Sequence, residues 1–206
     1  MNSIGKHFLA LTLSILICGC QSLFKSQEIS VPISKGLSLR LPERLFLPRH
    51  VSQLLSFTKG SQRHTFQVVL KQSQQAGLKI AAFDLLGTPI FELAYGSNCK
   101  EPGPAKGTNC SQASLQVFSG PAYKMFATRI LRDLYLIYGD SQQLQERLPP
   151  GVTLYTSLQE RQLRLHGTKI LVIKYRGIEK WKGPVSYENF EENYSLKIKN
   201  LPMETL

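Results

Sequence analysis

Cysteines carry the sharpest covalent chemistry in this chain, and the four of them divide into two pairs. The first pair closes the opening stretch "MNSIGKHFLALTLSILICGC", in which Lys6 precedes an apolar run from Phe8 to Ile17. That run falls short of the roughly 20 residues a membrane-spanning helix needs, so it reads as a secretory signal. Ile17-Cys18-Gly19-Cys20 matches a bacterial lipobox: a branched apolar residue, a small residue, glycine, then an obligatory cysteine. The small residues let a peptidase approach the backbone, and the Cys20 thiol is the nucleophile that takes a diacylglyceryl group. Cys18 is a poor rival, because bulky Ile17 would sit directly before it. Several acyl chains of the palmitate type, at about 0.8 kcal/mol per buried methylene, hold a protein on a bilayer where one chain is marginal. The residue after Cys20 is Gln21 and not aspartate, which in a Gram-negative host fits sorting to the outer membrane.

The second pair, Cys99 and Cys110, brackets the polar segment "CKEPGPAKGTNC". In an oxidising compartment such a pair closes a loop as a disulfide, worth on the order of 2 to 3 kcal/mol. The spacing is far from Cys-x-x-Cys, and no nearby histidine completes a metal site. Beyond the signal the histidines are His50, His64 and His166, in three separate strand-like runs without metal-ligand spacing. The aspartates are Asp84 in a turn, Asp133 on a helix, where it is expected to pair with Arg129 or Arg132 at the surface, and Asp140, placed to cap the next helix. No glycine-rich phosphate loop, Gly-x-Ser-x-Gly elbow or His-Glu-x-x-His appears. The residues therefore point away from an enzyme, and they imply no cofactor and no metal.

Charge bounds the partners. The chain has a formal net charge of +11, and signal cleavage removes only Lys6 among its charged residues. For an exported, lipid-anchored protein the accessible anionic partner is membrane lipid or lipopolysaccharide phosphate, not nucleic acid. The basic residues alternate with apolar ones, as in "RLRLHGTKILVIKYRGIEKWK", which also describes a solvated outer sheet face.

The elements that hold these residues follow from hydrophobic period. Residues 1–19 read as the signal, 20–48 as an anchor and proline-punctuated tether, and 49–206 as one domain. Runs at 50–58, 63–72, 77–84 and 88–96 alternate, with Gly60, Gly77 and Gly87 between them, as antiparallel hairpins do. Residues 114–118 add a short strand. Tyr123, Phe126, Ala127, Ile130, Leu131, Leu134 and Tyr138 then recur at three- and four-residue spacing, an amphipathic helix opened by Pro121 and closed at Gly139. Residues 141–149 continue as a short helix, and alternation returns in "VTLYTSLQERQLRLHG", "KILVIKYRG", "VSYENF" and "YSLKIKNL". Strands, a helical insert, then strands predict a mostly β, α+β fold: an incomplete antiparallel barrel, or curved sheet, wrapped around a central helix. Phe66, Phe91, Tyr123, Phe126, Ile130 and Leu134 are the candidates to line its interior. A ligand cavity and a core filled by the helix need the same apolar stripe, so both readings stand here.

One turn departs from the usual polarity. "FDLLGTPIFEL" (83 to 93) places Leu85 and Leu86 at a hairpin tip directly before Gly87. The order of lipobox, hairpins, "LLGTP" turn, central helix and terminal strands resembles the outer-membrane lipoprotein receptor LolB and its periplasmic partner LolA. Over roughly 50 to 201 it is most similar to LolB-like lipoproteins often encoded with aryl polyene pigment biosynthesis. The segments that carry this are "FDLLGTPIFELAYG", "RILRDLYLIYGDSQQLQERLP" and "ILVIKYRGIEKWKGPVSYENFEENYSLKI". The resemblance implies a lipid-holding half barrel under a helical lid, with Leu86 and Gly87 at the positions of a projecting leucine and its glycine. Leu85 replaces the proline of that loop, and the Cys99–Cys110 insertion is a further departure. The expected function is a lipid-anchored protein at the periplasmic face of the outer membrane. It would bind an acylated or polyene-bearing lipid, or a lipoprotein, from a LolA-like carrier and hand it over. The alternative is a structural lipoprotein with a filled core.

Overall fold

The computed structural model describes residues 29–42, 45, 50–73, 77–96, 114–117, 122–177, 179–180 and 182–201. Twelve strands and two helices appear among them. Among the described residues two strands, β1 (Ser30–Ser34) and β2 (Leu37–Arg40), pair only with each other, as a hairpin. The first half of the main sheet is β3 (His50–Lys59), β4 (Gln62–Ser73), β5 (Gly77–Phe83), β6 (Pro89–Tyr95) and β7 (Ser114–Val117). Helices α1 (Ala122–Tyr138) and α2 (Ser141–Arg147) follow. The second half is β8 (Val152–Thr156), β9 (Glu160–Leu165), β10 (Thr168–Tyr175), β11 (Val185–Asn189) and β12 (Tyr194–Asn200).

These ten strands form one antiparallel sheet in the order β7-β6-β5-β4-β3-β12-β11-β10-β9-β8. The two halves are joined in its middle, where β12 pairs with β3 from Ser195 opposite Thr58 to Asn200 opposite Gln53. The helices connect the two edge strands, so the chain between β7 and β8 has to cross a face of the sheet. Among the described residues the edges β7 and β8 do not pair with each other and no closed barrel forms.

Geometry requires the sheet to curl. Strands spaced about 4.8 Å apart would set β6 and β9 roughly 34 Å from each other in a flat sheet. Yet Phe91 of β6 packs its ring 6.3 Å from that of Phe126 on α1, while Arg161 of β9 hydrogen bonds the Leu136 carbonyl of the same helix. Phe126 and Leu136 stand only about 15 Å apart along the helix axis, less than half of that span, so the sheet curls around the helix that bridges it. Alternation supplies the inward face: Leu55, Phe66, Val68, Leu70, Leu78, Ile80 and Ala82 are buried on neighbouring strands.

Two expectations are corrected here. The segment read as tether contains the β1–β2 hairpin, which is part of the folded body: Val31, Ile33, Leu39, Leu41 and Leu45 are all buried in the core. Its prolines mislead because Pro32 sits in a hairpin outside the main sheet, where a missing N–H breaks no central ladder. Helix α1 is not exposed along one side either. Every residue from Ile130 to Gly139 is buried, including Arg132 and Asp133, so the expected surface pairing of Asp133 is a pairing inside the protein. The hairpin accounts for this, lying against the helix so that Arg132 reaches the Pro32 carbonyl. Pro121, which was expected to open the helix, lies outside the described residues.

Candidate functional site

The leucine tip is a fixed structure. At the end of β5 the Asp84 carboxylate accepts hydrogen bonds from the backbone N–H groups of Leu86 (2.9 Å) and Thr88 (2.8 Å). The backbone closes the turn as well, with Asp84 N–H on the Thr88 carbonyl and Gly87 N–H on the Asp84 carbonyl. Gly87 takes φ +84°, a left-handed value that a side chain resists, although a Cβ there would meet nothing within 4 Å. The Thr88 amide, followed by those of Leu86 and Gly87, holds the Asp84 carboxyl below its ordinary pKa. So braced, the tip projects Leu85 at 67% and Leu86 at 93% exposure. Two cations share that end of the sheet: Lys59 and Arg63, exposed on the β3–β4 hairpin, with no ion pair among the described residues.

Inside, Phe66, Phe91, Ile130 and Leu134 are buried in one cluster, with Phe126 packed against it. The Phe126 ring stands edge-on to Phe57 (5.3 Å), Phe66 (5.0 Å) and Phe91 (6.3 Å), an arrangement that aromatic quadrupoles favour. These candidate lining residues come together as packed core around α1. Tyr123 lies on α1, but its side chain is outside the described residues. So are the anchor at Cys20 and the Cys99–Cys110 pair.

Helix α1 is held by polar contacts that the hydrophobic pattern does not show. The Asp133 carboxylate accepts from Arg132 Nε (2.8 Å), from the Tyr187 hydroxyl (2.6 Å) and, through its other oxygen, from the Tyr194 hydroxyl. Arg132 also donates to Glu192 (2.8 Å), to the Tyr194 oxygen and to Pro32 O. Burial pushes the Tyr187 and Tyr194 hydroxyls well above their ordinary pKa, and the Asp133 charge adds to it, so both remain donors. At the other end of the helix Arg161 donates to the carbonyls of Leu136 (2.6 Å) and Gly139 (3.0 Å) and to Ser141 Oγ (2.9 Å). The Tyr175 hydroxyl, its pKa pushed up to about 12 by burial, donates to Ile137 O at 2.6 Å. A helix leaves its last carbonyls without internal partners, and a cation there also meets the negative end of the dipole. The signal for Arg161 was present in "RQLRL", where it shares the inward parity of buried Leu163.

His50 and His64 stand on β3 and β4, and His166 occupies the β9–β10 turn with φ 48°. Among the described residues no three His, Cys, Asp or Glu side chains gather as a metal site, and no helix is long and apolar enough to cross a membrane.

Fold and tip together define a class: an open antiparallel sheet curled about a buried helix, with an apolar hairpin tip at one end. The chain belongs to the family of proteins of unknown function DUF3261, whose model matches residues 50–202. The match begins at β3, so the β1–β2 hairpin lies outside it. No curated protein matches the chain.

Proposed function

We propose that the chain is a lipid-anchored, LolB-like protein that accepts a hydrophobic cargo and passes it on, using Leu85 and Leu86 as its point of contact. The observation that carries this is the exposure of Leu86 on a turn braced by Asp84. Water opposes an exposed leucine pair at a rigid tip, and a lipid chain or bilayer surface relieves that cost. Acylation at Cys20 places the protein at the periplasmic face of the outer membrane. The cargo is an acylated or polyene-bearing lipid, or a lipidated protein delivered by a LolA-like carrier. The chain's part is non-catalytic and needs no cofactor: transfer runs on differences in affinity, and the tip lowers the barrier between cavity and acceptor.

A second reading rests on a different observation. Residues 130–139 are buried on every side, Arg132 and Asp133 included, as residues of a core are. On that reading the protein is an envelope scaffold whose helix fills the sheet permanently.

Mass spectrometry of lipids extracted from the purified protein, with binding of fluorescent acyl probes, separates the two. The carrier reading expects co-purified lipid, saturable probe binding and impaired transfer in Leu86→Glu. A ligand-free protein that binds no probe sinks it in favour of the scaffold.

A further inference from the structure

The outer face of the sheet carries a second constellation, set by strand register. Lys174 of β10 lies opposite Ser186 of β11, and Ser186 lies opposite Lys197 of β12. One row beyond, past the Val185–Ile198 pair, the backbone N–H of Arg176 bonds the Pro184 carbonyl, and Lys199 falls in line on β12. The four basic residues thus occupy corners of a rectangle about 10 Å across two strand spacings and about 7 Å along the strands. All four are exposed, and none makes a salt bridge among the described residues. Two carboxylates border the array. Glu160 lies opposite Lys174 and accepts a hydrogen bond from Gln162, while Glu188 lies opposite Ser195.

The same face continues across the sheet with Lys71 directly opposite Lys79, and His50 opposite Lys71 on its other side. Like charges facing each other across a strand pair weaken a sheet unless an anion lies between them. Leu158, 85% exposed in the β8–β9 turn, adds an apolar contact at this end of the strands.

The place of Ile29, the first described residue, is the independent observation. Ile29 accepts a hydrogen bond from Leu41, and the adjoining Pro42 and Leu45 carbonyls accept from Tyr95 and Gln72. Tyr95 closes β6 and Gln72 lies near the close of β4, at the end of the strands shared by His50, Lys79 and Arg176. The leucine tip is at the opposite end, where Phe83 closes β5. Eight residues lie between Cys20 and Ile29, and the nine steps from one to the other span at most about 30 Å.

We infer that the outer face of β10–β12 is the surface by which the protein lies on an anionic bilayer, its cations binding lipid phosphates toward the end of the strands at which Ile29 also lies. The leucine tip, on the other half of the sheet and at the other end, stays free to meet the molecule that gives or takes the cargo. The tether clause rests on acylation at Cys20; the phosphate-binding face does not.

Flotation of the full chain carrying Cys20→Ser, with vesicles of phosphatidylcholine alone or mixed with phosphatidylglycerol, tests the face without an acyl anchor. Binding is expected to the anionic vesicles in excess of the neutral ones and to fall as salt rises. Each cation removed near such a surface costs about fivefold in partitioning, so Lys197→Gln/Lys199→Gln is expected to lose about 25-fold. A matched pair on the tip hairpin, Lys59→Gln/Arg63→Gln, is expected to change it less than threefold, with circular dichroism checking the fold of both. Equal binding to the two vesicle types, or an equal loss from both pairs, overturns the inference. With the acylated chain in brominated vesicles, a tryptophan moved to the middle of the basic array, in Trp181→Phe/Ser186→Trp, is expected to be quenched. Quenching that instead follows a tryptophan moved to the tip, in Trp181→Phe/Leu86→Trp, assigns the bilayer to the tip and also overturns it. Mass spectrometry of Cys20 reports separately on the anchor.

Discussion

Replacing Arg161 by alanine tests whether the central helix depends on one inward-pointing arginine. Arg161 is 1% exposed, and its guanidinium makes three bonds of 3.0 Å or shorter, to Leu136 O, Gly139 O and Ser141 Oγ. Burial lowers the pKa of Arg161, which measures the cost of taking its charge from water, so only part of the gross bond energy survives as stability. Two buried carbonyls deprived of a charged donor, at about 1.5 to 2 kcal/mol each, give a loss of about 3 to 4 kcal/mol. Arg161→Met keeps the length of the stem and separates packing from hydrogen bonding. Where both partners of a buried ion pair can be replaced, an apolar substitute is often neutral. Here the acceptors are main-chain carbonyls and remain, so methionine is expected to recover less than half of the loss. Arg161→Lys retains the charge but cannot span the same carbonyls, and is expected to fall between the two. Urea unfolding followed by circular dichroism gives all three values. A loss below about 1 kcal/mol for alanine, or a methionine variant as stable as the parent, refutes the view that Arg161 secures the helix end.

Three further outcomes are expected. Leu86→Glu should change the free energy of unfolding by no more than about 0.5 kcal/mol, since the side chain is solvated, whereas a urea-midpoint shift worth over 1 kcal/mol would place Leu86 in packing. The pKa of Asp84 is depressed in the fold, so its bonds to the turn are at full strength above the ordinary carboxyl value of 3.8 and are lost as pH falls through the lower folded value. Acid unfolding curves should therefore be steeper below pH 3.8 for the parent than for Asp84→Asn. Tyr135→Phe removes a buried hydroxyl that has no hydrogen-bond partner among the described residues, and thermal unfolding should show stability unchanged or raised.

Much of the architecture was legible because each strand buries one face. Burial alternates residue by residue from Ser52 to Thr58 and through Gly77–Phe83, and the Tyr123–Tyr138 spacing marked the helix within a residue or two of its observed bounds. Asp140 caps α2 as its position implied, accepting from Gln142 and Gln143. What stayed hidden was long-range. The run from Val152 to Gly167 read as one alternating stretch, but it turns back at Ser157–Gln159, where Ser157 and Glu160 close the corner without glycine or proline. Arg132 and Asp133 looked like a surface pair because their partners, Tyr187 and Tyr194, arrive from strands more than 50 residues later in the chain. The leucine tip was legible as an oddity, but its exposure followed only from the Asp84 bonds.

The interior sets a condition on any carrier role, because cargo must displace something already packed there. Two elements fill the space, and they are held unequally. Helix α1 is secured to β9, β10, β11 and β12 through Arg161, Tyr175, Tyr187 and Tyr194, and its own backbone ladder would have to move with it. The β1–β2 hairpin pairs with no strand of the main sheet, and its polar ties to the body include Arg132 on Pro32 O and Ser34 Oγ on Glu191 at 2.9 Å. An element that shares no backbone ladder with the main sheet opens at lower free energy than the ladder itself. The hairpin is therefore the expected gate, and its opening would expose α1 along one side while leaving the ten-stranded sheet intact. Hydrogen exchange reads this directly: amides of Ser30–Ser34 and Leu37–Arg40 should exchange ahead of those in Ile130–Tyr138, and an acyl probe should accelerate the hairpin alone. Exchange of both segments together, at the rate of global unfolding and insensitive to the probe, would mean that hairpin and helix are one permanent core, as the scaffold reading requires.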